Sequence, residues 1–215
     1  DDPEIDELYG KSLAMGVAGL DTWLYSSLHG FGHQCYLGFA SGTWWSSHTL
    51  PEAGGFRAHP GWLALRLRNR HAPGDELLDV GLDAAPRYMR AEAAVELLSA
   101  YALSDPEAGV VSVFVLSRKL DGAHDGVDFG DGYTPVTLHL PFERPPSSIT
   151  LHRLAHPDGT PADPRHNNRE QLRVGIVSEA VDVARYAPDF VIDERTGGGP
   201  NGMPPGTVYL YVFRF

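Results

Sequence analysis

The chain has 215 residues, and this length suits one large domain or two small ones. Hydrophobic residues make up 42% and charged residues 21%, a composition that supports a packed core and argues against disorder. The formal net charge of −11, without a cluster of Lys and Arg, argues against a nucleic-acid-binding protein, because such proteins neutralise phosphates with grouped basic side chains.

The chain opens with DDPEIDELYG and lacks an initiator methionine, which indicates a processed product, a fragment or one half of something longer. No stretch approaches the roughly 20 apolar residues that a membrane helix needs, and no signal-like segment is present. We therefore expect a soluble protein without membrane contact, and the sequence leaves the compartment undecided between secreted and cytoplasmic. The single cysteine, Cys35, excludes a disulfide framework and is expected to be a buried thiol.

The first 74 residues are predicted to form a helix, a buried strand and a second helix. Over residues 13–28 the apolar side chains recur every three or four positions, which is a helical stripe. Residues 34–40 are apolar on both alternate faces, as in a strand that is covered on both sides. Pro60 suits a helix start and Pro73-Gly74 a stop, so the segment between them is predicted to be helical, although its LALRLR also alternates like a strand.

After Gly74 the chain changes to short, β-branched or aromatic-rich segments separated by Gly, Pro and Asp. The five segments are VELLSAYAL, GVVSVFVLSRKL, TPVTLHLPF, SSITLHRLA and GTVYLYVFRF. This spacing predicts an antiparallel β-sandwich. The alternation places the valines at 111, 113 and 115 on one face and Ser112, Phe114 and Leu116 on the other. It likewise separates Val136, Leu138 and Leu140 from Thr137 and His139.

The predicted strand at residues 34–40 has no partner in the first half of the chain. A buried parallel strand needs neighbours on both edges, or its backbone groups stay unpaired. We therefore expect another polypeptide to supply the rest of the sheet. A strand between two helices matches the closing turn of a (β/α)8 barrel. The expected fold is α+β, with residues 1–74 as the end of a (β/α)8 barrel completed by another chain or segment, and residues 75–215 as an antiparallel β-sandwich.

This layout resembles the C-terminal part of clan-A glycoside hydrolases, notably the α-L-arabinofuranosidase and β-xylosidase/α-L-iduronidase type families. SLAMGVAGLDTWLYSSL is similar to their penultimate barrel helix and CYLGFASGTWW to the eighth strand. HPGWLALRLRNRHAPGDELLDV is similar to the last helix and its exit, and VVSVFVLSRKL to a sandwich strand that ends in a polar Asn-Arg or Ser-Arg turn. The terminal MPPGTVYLYVFRF resembles a Leu-Pro-Pro stretch and the final strand.

The resemblance implies a retaining glycoside hydrolase that acts on O-glycosidic bonds of plant or microbial polysaccharides or oligosaccharides. Such enzymes use two carboxylates about 5–5.5 Å apart. In the family these lie at the ends of barrel strands four and seven, so both would precede residue 1. The catalytic residues are therefore expected outside this chain, on a partner N-terminal segment or subunit that completes the barrel. Arabinofuranosidase-like, xylosidase-like, iduronidase-like and agar-degrading specificities all remain open.

Four residues after the predicted barrel strand are candidates for substrate binding: Trp44, Trp45, Ser46 and His48. Side chains just past the carboxyl end of a barrel strand face the substrate. An indole face packs against the C–H face of a sugar ring, and the histidine can hydrogen-bond a hydroxyl. The alternative is that one tryptophan fills the interface between barrel and sandwich and that His48 is an ordinary loop histidine.

Other polar groups give weaker signals. Glu52 is the best local carboxylate, ahead of Asp21 and Asp79, but a lone carboxylate leaves the second catalytic role unfilled. The aspartates between Asp121 and Asp131 could offer calcium ligands, yet their spacing does not fit an EF-hand and favours a solvated connection. The polar run from His166 to Glu170 is explained by turn-forming residues. No zinc spacing or phosphate loop is present, so no cofactor or metal is expected.

The sequence also leaves two rival functions open. In one, the chain is a non-catalytic carbohydrate-binding or assembly module, whose sandwich binds a glycan while the helices dock to a scaffold. In the other, it is a purely structural subunit that stabilises an enzyme. Trp44 and Trp45 discriminate between enzyme and module, because they would face a cavity closed by another chain in the enzyme and a flat, open surface in the module.

Overall fold

The computed structural model describes residues 11–31, 48, 56–90, 93–119, 123–124, 127–128, 133–142, 144–187, 189–192 and 202–215. Helix α1 spans Leu13–Leu28 and helix α2 spans Pro60–His71. The strands are β1 (Glu76–Leu78), β2 (Arg87–Arg90), β3 (Ala93–Glu96), β4 (Leu98–Asp105), β5 (Val110–Ser117), β6 (Ala123–His124), β7 (Val127–Asp128), β8 (Val136–His139), β9 (Ser148–Ala155), β10 (Gly175–Val181), β11 (Asp189–Ile192) and β12 (Val208–Arg214). A 3₁₀ turn covers Val183–Arg185.

Both predicted helices are confirmed. The hydroxyl of Ser12 accepts a hydrogen bond from the Met15 N–H at 3.2 Å and caps α1, which ends where Gly30 adopts a φ of +83°. Helix α2 begins with Pro60, whose fixed φ suits the first helical position. Its LALRLR segment is helical rather than extended, because Leu63 and Leu67 then share one buried side.

The predicted antiparallel strands are also confirmed. Six strands form one sheet in the order β1-β4-β5-β12-β9-β10, and each neighbouring pair is antiparallel. The sequence did not reveal β10 at the edge of this sheet or β11, which pairs with β8. Most of β10 is half-buried or exposed, so its side chains lack the clear alternation that marked the central strands.

Both faces of the six-stranded sheet are covered. On one face Phe114 and Leu116 of β5 pack in a cluster with α1 and α2. On the other face Val113 and Val115 pack in a cluster with Phe190 of β11. The predicted division of β5 into two faces is therefore confirmed, and every residue of β5 is buried.

The fold class is mixed α+β with mostly antiparallel sheets, as expected. The predicted strand at residues 34–40, with Cys35, lies outside the described residues, and the division between 1–74 and 75–215 stays a prediction. Helices and sheet share one hydrophobic cluster, in which Leu20, Leu67 and Leu210 take part. Within the described part of the chain, neither helix is long and apolar enough to cross a membrane.

Candidate functional site

Of the four predicted substrate-binding residues, the structure describes His48 alone. Trp44, Trp45 and Ser46 lie outside the described residues, so their role stays a prediction. His48 is half-buried and forms an isolated antiparallel bridge with Ala58. Its ring lies 5.3 Å from the ring of Trp62 in the first turn of α2, at an interplanar angle of 56°. The candidate site therefore lies where α2 begins.

The starts of both helices meet at this place. A Cβ atom added to Gly16 in α1 would lie 2.8 Å from the carbonyl carbon and oxygen of Pro60, the first residue of α2. Only glycine permits this approach, because any side chain would clash with backbone that cannot move aside. The two helices therefore begin at the same end of the pair.

A loop after β9 closes over both helix starts. Its carbonyl groups at Pro164 and His166 accept hydrogen bonds of 2.8 Å from the Ala14 and Leu13 N–H groups, respectively. The first turn of a helix otherwise leaves such N–H groups without partners. Because the loop uses these donors, they are not open to a ligand.

Asn168 joins this loop to the segment before α2. It is fully buried, and its amide nitrogen donates to the carbonyls of Ala58 and Val174, both at 2.7 Å. Its amide oxygen accepts from the N–H groups of Arg173 and Val174 at 2.8 Å. Four bonds satisfy the whole amide. Asn168 lies in the polar run from His166 to Glu170, which was predicted to be turn-forming. Its four bonds to backbone groups give it a structural role.

Basic side chains surround the start of α2. We call Lys11, His48, Arg57, His59 and Arg169 the helix-start cluster. The Arg57 guanidinium donates to the carbonyls of Asn168, at 3.0 Å, and of Arg169. His59 precedes α2 as its N-cap and is 2% exposed. Burial, assisted by the positive charges of Lys11, His48, Arg57 and Arg169, lowers the pKa of His59 from 6.5 to about 4.

His59 is accordingly a neutral imidazole at physiological pH. Among the described residues its Nδ1 atom has no hydrogen-bond partner. A neutral imidazole with a depressed pKa can donate or accept a hydrogen bond, but it is a poor general acid near pH 7. The helix-start cluster thus places positive charge around a neutral, buried imidazole, which is not suited to general acid catalysis near pH 7.

Asp21 is the one carboxylate that is buried among the described residues, and it is fully committed. Its Oδ1 accepts from the hydroxyls of Ser99 at 2.5 Å and Tyr101 at 2.8 Å, and its Oδ2 pairs with the Arg118 guanidinium at 3.0 Å. Burial and the adjacent carboxylate raise the pKa of Tyr101, so its hydroxyl stays a donor. Asp21, a weak candidate for catalysis, instead links α1 to β4 and to the end of β5.

The other candidate groups are less informative. Asp79 is exposed, Glu52 lies outside the described residues, and the side chains from Asp121 to Asp131 are not described. Within the described ranges, no group of three or more His, Cys, Asp or Glu side chains is placed to hold a metal ion.

Sequence reasoning missed the partners of Asp21 and the helix-start cluster. A signal for the former was present, since Asp21 is the only charged residue of α1 and a buried charge requires a partner. The Ser-Arg turn after β5, noted for its resemblance, supplies that partner as Arg118. The helix-start cluster had no such signal, because its members come from four separate places in the sequence.

Neither a family model nor a curated protein matches the sequence. Solved structures do match the fold. The whole chain superposes on 40% of an α-L-arabinofuranosidase from Thermotoga maritima, solved as an arabinose complex, with a TM-score of 0.63 and 14% identity. For a family 51 α-L-arabinofuranosidase from Bifidobacterium longum, 95% of the chain covers 34% of the enzyme, with a TM-score of 0.60 and 14% identity.

The chain has the fold of part of an arabinofuranosidase. A family 51 arabinofuranosidase from Xanthomonas axonopodis pv. citri matches as well, where 82% of the chain covers 30% of the enzyme at a TM-score of 0.51 and 12% identity. The resemblance expected from the sequence is thereby confirmed for the fold. At identities of 12–14%, the matches show a shared fold and not a shared activity. The chain spans less than half the length of these structures, consistent with a C-terminal portion of a clan-A glycoside hydrolase.

Proposed function

We propose that the chain is the C-terminal part of a retaining glycoside hydrolase that cleaves O-glycosidic bonds in plant or microbial carbohydrates. The observation that carries this proposal is the fold match, which covers the chain from end to end in the Thermotoga maritima arabinofuranosidase. In this proposal α1 and α2 are the last two helices of a (β/α)8 barrel, residues 34–40 form its eighth strand, and the strands from β1 onward form the adjoining sandwich.

The positions of the helix starts support this assignment. Successive helices of a (β/α)8 barrel run in the same direction because a parallel strand lies between them in the chain. Helices α1 and α2 begin beside each other, as the approach of Gly16 to Pro60 requires. Two helices joined by a short loop would instead begin at opposite ends. The connecting residues between α1 and α2 are numerous enough for a strand and two loops.

The same geometry suggests where the substrate binds. Helix starts in a (β/α)8 barrel lie on the face that carries the active site. His48 lies at the start of α2, and Trp44, Trp45 and Ser46 precede it closely in the sequence. We propose that these four residues form part of the substrate-binding wall. Two carboxylates on the remaining barrel strands would act as general acid and nucleophile through a covalent glycosyl intermediate.

The proposal is tested by comparing the chain alone with its native assembly. Intact-mass analysis under denaturing conditions, beside the size in solution, shows whether further polypeptide accompanies the 23.4 kDa chain. Both preparations are then assayed with aryl α-L-arabinofuranosides and β-xylosides, and the anomer first released is identified by NMR. We expect no hydrolysis by the chain alone, and hydrolysis with retention by the larger assembly.

A different outcome would select a rival function. A native species of 23.4 kDa that binds oligosaccharides without cleaving them would replace the hydrolase proposal with a carbohydrate-binding module. A larger assembly that neither cleaves nor binds any glycoside would favour a structural subunit.

Replacement of Trp44 or Trp45 by Ala in the active assembly should raise KM at least tenfold, because the variant loses the indole face that packs against the C–H face of a sugar ring.

A further inference from the structure

The ring of His48 packs against an aromatic ring of helix α2. The centroids of the His48 and Trp62 rings lie 5.3 Å apart, at an interplanar angle of 56°. This separation falls within the range that aromatic pairs prefer, and tilted rings avoid the unfavourable parallel sandwich. The indole of Trp62 therefore restricts the positions that the His48 imidazole can take.

Trp62 is itself held in the first turn of α2. Its N–H donates to the carbonyl of His59 at 3.0 Å, and the next residue, Leu63, is buried in the cluster shared by helices and sheet. Two residues earlier, Pro60 packs on Gly16 of α1. The indole is half-buried, so the chain encloses part of it. A side chain that is fixed in this way can orient a second one.

The backbone of His48 is fixed as well. It forms an antiparallel bridge with Ala58, whose carbonyl accepts a hydrogen bond of 2.7 Å from the buried Asn168. The Arg57 guanidinium in turn donates to the carbonyl of Asn168 at 3.0 Å. With its backbone held in this way, His48 keeps mainly the torsions of its side chain, and the contact with Trp62 limits those.

We propose that Trp62 is a positioning residue, whose indole holds the His48 imidazole ready to hydrogen-bond a hydroxyl of the bound sugar. This inference rests on the proposed function, in which His48 belongs to the substrate-binding wall. A side chain that is ordered in advance loses less conformational freedom when it binds, and the difference appears as affinity. Trp62 then acts through His48 and needs no contact of its own with the sugar.

Steady-state kinetics of the native assembly, with an aryl glycoside that it hydrolyses, test this role. Trp62→Leu keeps an apolar side chain on α2 but removes the ring, so we expect KM to rise by about tenfold, the effect of losing one well-formed hydrogen bond. The value of kcat should stay within about twofold, because the bond is made equally in the ground state and the transition state. Trp62→Phe restores an aromatic ring and should bring KM back to within about threefold of the wild type.

Two comparisons separate positioning from a general loosening of α2. Leu65→Ala truncates another half-buried side chain, one turn further along the helix, and should leave KM and kcat unchanged. In a double-mutant cycle, Trp62→Leu should have little further effect on KM once His48→Ala is present, because Trp62 acts only through that ring. Additive effects of Trp62→Leu and His48→Ala, or equal effects of Trp62→Leu and Leu65→Ala, would overturn the inference.

An NMR measurement on the chain tests the contact without relying on hydrolysis. The ring resonances of His48, assigned through His48→Ala, should be displaced in Trp62→Leu because the ring current of the indole is lost. The same resonances should keep their positions in Leu65→Ala. Resonances that are unchanged in Trp62→Leu would mean that the indole does not hold the imidazole, and the positioning role would be rejected.

The failure of this inference and the failure of the proposed function are distinguishable. An active assembly whose KM is unaffected by Trp62→Leu would retain the hydrolase and reject the positioning role. In an assembly without hydrolysis, the same cycle is run on the Kd for arabino- and xylo-oligosaccharides, measured by calorimetry. Coupling between Trp62 and His48 in that binding would retain the positioning role and reject the hydrolase, whereas an assembly that neither binds nor cleaves a glycoside would reject both.

Discussion

Helices α1 and α2 pack on the same face of one sheet, yet they differ in the residues they turn outward. Helix α2 exposes Arg66, Asn69 and Arg70, and its Arg68 donates to the carbonyls of Ala72 at 3.3 Å and Gly74 at 3.4 Å beyond the helix end. Such basic groups near a helix C-terminus interact favourably with the helix dipole and with water. Helix α1 exposes only uncharged side chains.

The difference indicates that the side chains exposed in the single chain are of two kinds, those with the composition of a solvent-facing surface and those with the composition of an interface. The exposed side of α2 is composed as a solvent surface is, whereas the exposed side of α1 is composed as an interface is. Composition and exposure therefore have to be considered together.

The largest effect is expected from the only charge in α1. Asp21→Ala would leave the Arg118 guanidinium and the hydroxyls of Ser99 and Tyr101 without their shared acceptor. We expect the free energy of unfolding to fall by about 3–5 kcal/mol, because each of the two buried hydroxyls left without an acceptor costs about 1–3 kcal/mol and the partly exposed Arg118 guanidinium loses its carboxylate. Urea denaturation of the purified chain measures this loss.

Thr22→Ala is the matched control on the same helix. Thr22 is exposed and, among the described residues, bonds to the carbonyl of Ala18 alone, so its replacement should change the free energy of unfolding by no more than about 0.7 kcal/mol, in the stabilising direction set by the helix propensity of Ala. Similar effects from the two variants would mean that the inward side of α1 is no more closely packed than its outward side.

The next effect is a loss of stability in acid that originates at the start of α2. The pKa of His59 is about 4 in the folded chain and 6.5 when unfolded, so between these values the unfolded chain binds the additional proton. Stability is therefore complete above pH 6.5, falls as the pH is lowered towards 4 and then levels off. The difference between a pKa of 6.5 and one of about 4 corresponds to about 3 kcal/mol.

His59→Asn removes the titration while keeping a residue that can cap α2. The difference between the wild-type and variant pH profiles, measured by urea denaturation from pH 7.5 to 4, isolates the contribution of His59. His152→Gln is the comparison: burial, assisted by His71, lowers the pKa of His152 to about 4, but the side chain is only half-buried and the difference should be smaller. A larger difference for His152 would show that the helix-start cluster is open to water.

Much of the fold was predictable because its signals are local. The helical stripe from Leu13, the proline at the start of α2 and the alternation within β5 each depend on residues close together in sequence, and each is confirmed. Edge strands gave weaker signals. Strand β10 has one neighbour and mostly accessible side chains, so little in its sequence distinguishes it from a loop.

The candidate site was less predictable because its contacts are long-range. Asn168 bonds to Ala58, 110 residues earlier, and Arg118 pairs with Asp21, 97 residues earlier. Nothing in a local pattern fixes which turn meets which helix start. His48 was identified from its position after an apolar run, while His59, 11 residues later, was overlooked because a histidine before a proline has no distinctive signal.

The smallest effects concern two glycines in α1 and test the contact between the helices directly. Gly16→Ala would bring a Cβ to 2.8 Å from the backbone of Pro60, so overpacking of about 1–3 kcal/mol should exceed the gain in helix propensity of about 1 kcal/mol. Gly19→Ala meets no atom within 4 Å and should raise the free energy of unfolding by about 0.5–1 kcal/mol. Opposite signs in urea denaturation, at positions three residues apart, would confirm that α1 is closely packed against α2 at Gly16 and has open space at Gly19. A gain in both variants would place the helix starts farther apart, and the argument that they begin at one end of a barrel would lose its main contact.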